Sequence, residues 1–284
     1  HHQTFKLFNL KFNNILHFQI STMQLLKIEW LKIKNYRTFW ILIGIFVSLY
    51  LIWNYGLNKF FVQLNSSSMN FTSESYSFPY VWNTMAYVYS WFVFFLCMFM
   101  IISIANEYTF KTQRQHIIDG MHRLDFLHAK VLLILAISVC ASLFYAVLCL
   151  SFGLLTGGSG VFDQIHMLLY VFIFTLNYLS FAALLTLFVK RSGLSIIIFL
   201  AYIMLEAGIG AYINMKFNTK IGNLMPLQTS DELLPLRSLD KIKSLVNQGS
   251  SASEIPMFVY MLASLVFIAL YYYVARRKML QSDL

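Results

Sequence analysis

Asn106–Lys130, NEYTFKTQRQHIIDGMHRLDFLHAK, is the polar, basic interruption between two long apolar runs, and its reading organises the whole chain. At about 100° per residue, Lys111, Thr112, Gln115, His116 and Asp119 fall on one polar face of a helix. Phe110 and Ile117 form a narrow apolar stripe behind them, flanked by Arg114 and Ile118. A helix with so little apolar surface is not buried in a membrane or a core. The pattern breaks at Asp119-Gly120 and runs without a pause into the next apolar segment. The expected element is an amphipathic cytosolic helix between two membrane spans, its back on the ends of other helices and its polar face offered to a partner.

Composition agrees with spans on either side. Apolar residues make up 58% of the chain and charged residues 12%, with 27 Phe and 17 Tyr, where soluble domains carry about 25% charged residues. Six segments are long and apolar enough to cross a hydrocarbon core of about 30 Å. They are Phe39–Leu57, Ala86–Ala105, Val131–Phe152, Met167–Val189, Leu194–Ile213 and Met257–Ala275. The fold class expected is an all-α, multi-pass integral membrane protein of six transmembrane helices, and residues 23–284 form one membrane domain.

Basic residues set the orientation. With the N-terminus cytosolic, the inner side holds Lys27, Lys32, Lys34, Arg37, Lys111, Arg114, Arg123, Lys130, Lys190, Arg191, Arg276, Arg277 and Lys278. The outer side holds only Lys59, Lys216, Lys220, Arg237, Lys241 and Lys243. Both termini are therefore expected inside. The net charge of +9 is mostly this bias, so nucleic-acid binding has no place in the reading. Cys97, Cys140 and Cys149 all fall inside spans and give neither a disulfide framework nor a metal spacing. His116, His122 and His128 are six apart and do not share a helical face, so no metal site is expected.

Residues 1–22 open on His1-His2 and read as upstream sequence or a non-native extension, with translation starting at Met23; the intact mass of the natively expressed protein tests this. In Gln24–Arg37 lysines interleave with apolar residues, which reads as an interfacial helix leading into the first span, although Glu29 and Lys32 intrude on its apolar side. Thr156-Gly157-Gly158-Ser159-Gly160 lacks the Lys-Ser/Thr of a phosphate loop and reads as a tight turn. The long outer connection Lys216–Pro256 reads as partly structured, either re-entrant or lying on the surface, with a short helix capped by Ser238 and ended at Gly249.

Glu206 is the one ionisable residue well inside a predicted span, at a cost of roughly 3 kcal/mol near the bilayer centre. The small residues Ala207-Gly208-Ile209-Gly210-Ala211 follow it and allow close packing. Asn177 is its candidate hydrogen-bonding partner, and the two together are the candidate polar site or substrate path. No catalytic constellation appears: there is no HExxH, no GxSxG, no paired acidic motif on a span and no nucleotide-binding loop.

These features together resemble permease subunits of type-2 ATP-binding-cassette (ABC) exporters. The likeness covers nearly everything from Met23 on: six spans, the Lys-rich lead-in LLKIEWLKIKNYRTFW, and a long outer connection before the last span. Its most specific part is Glu107-x4-Thr112-x2-Gln115, then Asp119-Gly120-Met121-His122-Arg123-x2-Phe126 and Lys130. His122 stands where such permeases have Ser, so the cap of the following helix is weaker or comes from Asp119. The resemblance implies a coupling segment of Glu107, Lys111, Thr112, Arg114, Gln115, His116 and Asp119 docked on an ABC ATPase subunit, with Gly120 and Arg123 in the turn that follows. It also implies two permease chains, identical or different, and two ATPase chains, in membrane lipid, most naturally that of a bacterial cytoplasmic membrane. No cofactor is expected on this chain, since ATP and magnesium belong to the partner. The alternatives are a secondary transporter coupled through Glu206 and an intramembrane enzyme.

Overall fold

A computed structural model describes residues 26–65, 75–112, 123–217, 219–235 and 255–281. Helix α1 covers 26–34 within the described residues. Six long helices follow: α2 Arg37–Asn65, α3 Val81–Thr109, α4 Arg123–Thr156, α5 His166–Val189, α6 Ser192–Phe217 and, at the end, α8 Met257–Gln281. Between the last two, a 3-10 turn at Ile221–Leu224 precedes the short helix α7, Gln228–Asp231. All six long helices are apolar enough to cross a membrane. Among the described residues there is no β-strand, only one bridge between Phe78 and Gly158. The protein is an all-helical, multi-pass membrane protein.

The helices outrun the apolar segments that define them. Helix α4 has 34 residues, about 50 Å at 1.5 Å per residue, and its first two turns carry Asp125 and Lys130. Such residues cannot sit in hydrocarbon, but nothing prevents the helix from continuing past it.

Helices α3 and α5 form the middle of the bundle, with more than half of their apolar windows buried, against about a fifth for α2, α6 and α8. Aromatic rings fill the centre: Tyr50, Tyr89, Tyr145 and Phe174 are fully buried. The hydroxyls of Tyr50, Tyr89 and Tyr145 each find a partner, as membrane depth favours. Tyr50 donates to Met85 O (3.0 Å), Tyr145 to Trp82 O (2.6 Å), and Tyr89 pairs with Thr175 Oγ1 (2.7 Å).

One end of the bundle gathers α1, the end of α3, the start of α4, the Lys190 turn and the end of α8. Tyr108 donates to Met279 Sδ (3.8 Å), Lys190 lies over the Tyr108 ring and Lys278 over Phe188. Most of the described lysines and arginines are here. At the opposite end Gly157, Gly158 and Gly160 all have positive φ and make the tight turn. A side chain at Gly158 would collide with the Phe78 backbone, whose N–H donates to Gly157 O.

Candidate functional site: a charge clamp beside the interrupting segment

Helix α3 ends at Thr109, and Lys111 turns left-handed with φ 55°. The single helix expected from Asn106 to Asp119 is therefore broken, and the chain changes direction before becoming helical again at Thr112. Thr112 Oγ1 donates back to Glu107 O (3.3 Å), bracing the break. Lys111 is exposed, Thr112 half-buried, and Phe110, expected on the rear of the helix, is 72% exposed. Arg114, Gln115, His116, Asp119 and Gly120 lie outside the described residues, as does the side chain of Arg123, whose backbone opens α4.

Glu107 does not face outward with Lys111. It is buried, and its carboxylate turns inward to a network that joins three elements far apart in sequence. Lys130 Nζ, from α4, lies 2.6 Å from Glu107 Oε1 and 2.7 Å from Glu29 Oε2 of α1. Lys32 Nζ, also of α1, lies 3.2 Å from Glu107 Oε1 and 3.2 Å from Glu29 Oε1. Each lysine thus holds both glutamates, and the four charges close into a neutral ring. The side chains of Lys130 and Glu29 are each 3% exposed, that of Lys32 32%. A second tie runs alongside, from Asn106 Nδ2 to Tyr36 Oη (2.7 Å), between the turn after α1 and the end of α3.

The electrostatics follow from burial against pairing. Burial raises the Glu29 carboxyl, but the charges of Lys130 and Lys32 and the hydrogen bonds they donate outweigh it, leaving it below the usual glutamate value. For Lys32 burial pulls down while Glu107 and Glu29 push up, and the amine ends above its usual value. Both groups are held charged. Glu29 and Lys32 disturbed the apolar face of α1 in projection because they belong to this buried ring. Projection of one segment cannot show a partner some 75 to 100 residues away.

Glu206 and Asn177 do not bond to each other; both grip the same returning segment. Glu206 Oε1 accepts from Leu227 N (2.7 Å) and Gln228 N (3.1 Å). Asn177 Nδ2 donates to Pro226 O and Ser230 Oγ, both 2.8 Å. Tyr178 Oη adds a bond to Asp231 Oδ1 (2.7 Å). Asn177 lies halfway along α5, so residues 225–231 re-enter the bundle to that depth. Non-helical backbone survives there only when its polar groups find protein partners, which these side chains supply. Close approach is needed too: a methyl on Gly222 would collide with Gly210 O, and one on Gly210 with the Gln228 side chain. The short helix expected after Ser238 lies outside the described residues.

Residues 25–206 match the family described as ABC-2 family transporter protein. The match spans α1, the interrupting segment, all four members of the ring and α6 as far as Glu206. No curated protein and no solved structure matches the chain. A family match over well more than half of the chain, on a bundle of six apolar helices, decides the assignment: this chain belongs to the ABC-2 transporter family, as an integral membrane permease.

Proposed function

We propose that the chain is the membrane-spanning subunit of an ATP-driven exporter, powered by ABC ATPase subunits that dock on the segment between α3 and α4. The observation that carries this reading is the charge ring at both roots of that segment. Glu107 stands at the end of α3 and Lys130 two turns into α4, and both are tied to α1. A push on residues 111–119 would enter α3 and α4 through these roots, and the ring obliges α1 to move with them. Through Tyr36 the motion reaches α2. Stranding one buried charge is costly, so the ring favours moving as a unit over opening in part. The end carrying α1 is the cytosolic face in this reading, as its basic residues support, and ATP and magnesium stay on the partner. Two permease chains, alike or different, complete the route across a membrane that we take to be the bacterial cytoplasmic one. Glu206, committed to holding the re-entrant segment, supports a structural role better than ion coupling.

Isolation of the chain from its native membrane in mild detergent, with mass spectrometry of what accompanies it, tests the proposal. A stoichiometric soluble ATPase, lost on Arg114→Glu with Gln115→Glu, is expected. A chain that emerges alone and transports without ATP contradicts it.

A further inference from the structure

Three sides of helix α1, about a quarter turn apart, face different surroundings. Glu29 and Lys32 point into the charge ring. On the adjoining side Leu26, Trp30 and Ile33 cover the end of a groove of about 450 Å³ between α2 and α4. Beyond the groove side, opposite the ring, Lys27 and Lys34 are exposed, and exposed Arg37 begins α2. None of these three has an ion-pair partner among the described residues.

The groove is lined by apolar side chains throughout, with Cys140 the nearest to an exception. Along α4 it runs from Leu133 to Phe144, about 16 Å at 1.5 Å per residue. That is the depth of one leaflet, half of a hydrocarbon core of about 30 Å. A slot one leaflet deep, closed at its surface end by an amphipathic helix whose next side carries exposed Lys27 and Lys34, matches an anionic phospholipid in both parts. The chain fits the slot and the phosphate fits the rim, where each Lys or Arg contributes about 1 kcal/mol toward an anionic surface. A second copy of this chain is the poorer occupant, because it would bring the same basic rim against this one. A free phosphate would leave the apolar slot unexplained.

We propose that this groove binds one acyl chain of an anionic phospholipid from the leaflet on the α1 side, with Lys27 and Lys34 holding its headgroup. Bound there, the lipid braces α1 on the flank opposite the charge ring. The composition of that leaflet then sets how firmly α1 is seated. The proposal rests on the groove and its rim and does not depend on which ATPase, if any, docks nearby.

Native mass spectrometry of the full chain released from bilayer discs of phosphatidylcholine and phosphatidylglycerol tests it. The wild type should retain one phosphatidylglycerol per chain, with at least about tenfold preference over phosphatidylcholine. Ala136→Phe, which fills the groove, and the double change Lys27→Gln with Lys34→Gln should each abolish retention. Equal retention of both lipids, retention in the filled-groove variant, or a protein dimer sealed at this face in place of lipid would overturn the proposal. Should Ala136→Phe fail to fold, phosphatidylglycerol brominated on its chains supplies the second reading on the unaltered groove. Its quenching of tryptophan emission should contain a component that saturates at one lipid per chain and disappears in Trp30→Phe. Quenching without that component is the contrary result.

Discussion

Replacing Lys130 by methionine removes the amine at the centre of the charge ring and keeps most of its bulk. Lys130 makes the two shortest contacts of the ring, 2.6 and 2.7 Å, to carboxylates that are themselves buried. Its loss leaves Glu29 and Glu107 with one shared cation, Lys32, which is a third exposed and 3.2 Å from each. One buried carboxylate is then effectively stranded, at a cost of about 3–5 kcal/mol. Lys32→Met removes the more solvated amine and should cost about 1 kcal/mol or less. The pair Glu29→Met with Lys130→Met leaves Glu107 facing Lys32, a neutral remnant. It should therefore cost less than the sum of its two single changes, by a coupling of about 0.5–3 kcal/mol. Equilibrium unfolding in mixed lipid–detergent micelles measures all four proteins. A larger loss from Lys32→Met than from Lys130→Met, or two single costs that simply add, would refute the assignment of the ring.

The ring has a definite pH dependence. The Glu29 carboxyl lies below its usual value, so its contribution is full above about pH 4.3 and is lost only as acid protonates it below that. The Lys32 amine lies above its usual value, so its contribution is full below about pH 10.4 and is lost above it. The contribution of Glu29 and Lys32 to stability should be flat from pH 5 to 9, and a marked slope near neutrality that Glu29→Met or Lys32→Met removes would contradict the assignment. At the re-entrant segment, Glu206→Leu leaves the buried Leu227 N–H without its acceptor, at about 1–3 kcal/mol, and frees the half-buried Gln228 N–H as well. Hydrogen exchange of residues 225–231 should quicken, while Glu206→Gln, which keeps an acceptor oxygen, should change it far less; equal exchange in the two variants would refute the assignment. Gly222→Ala forces a methyl onto Gly210 O and should destabilise by about 1–3 kcal/mol as overpacking does. A neutral result in the same unfolding assay would mean that the two backbones are not in contact.

What could be read from the sequence divides along a physical line. The six spans were legible because a run of some 20 apolar residues has few other uses. Their ends were not: Arg123–Lys130 stays helical beyond the apolar run, and hydropathy is silent about helices outside hydrocarbon. The break at Lys111 was invisible, since left-handed backbone is usually announced by Gly, Asn or Asp and here falls on lysine. Glu206 stood out correctly as a costly residue, but its partner proved to be backbone of a segment whose sequence, PLQTSDELL, mixes polar and apolar residues without a membrane period. The ring was least legible. Glu29, Glu107 and Lys130 are ordinary charges beside spans when read one at a time, and only the fold brings them to one point.

The central claim is that a nucleotide-hydrolysing partner sits on the segment between α3 and α4. A photoreactive residue at Gln115, activated in native membranes, tests that contact in place, with a second probe at exposed Phe162 on the opposite end as the reference. The account predicts a crosslink from position 115 to an ABC ATPase chain and none from position 162. A segment that captures no nucleotide-binding chain, or an ATPase crosslinked from position 162 instead, would contradict it.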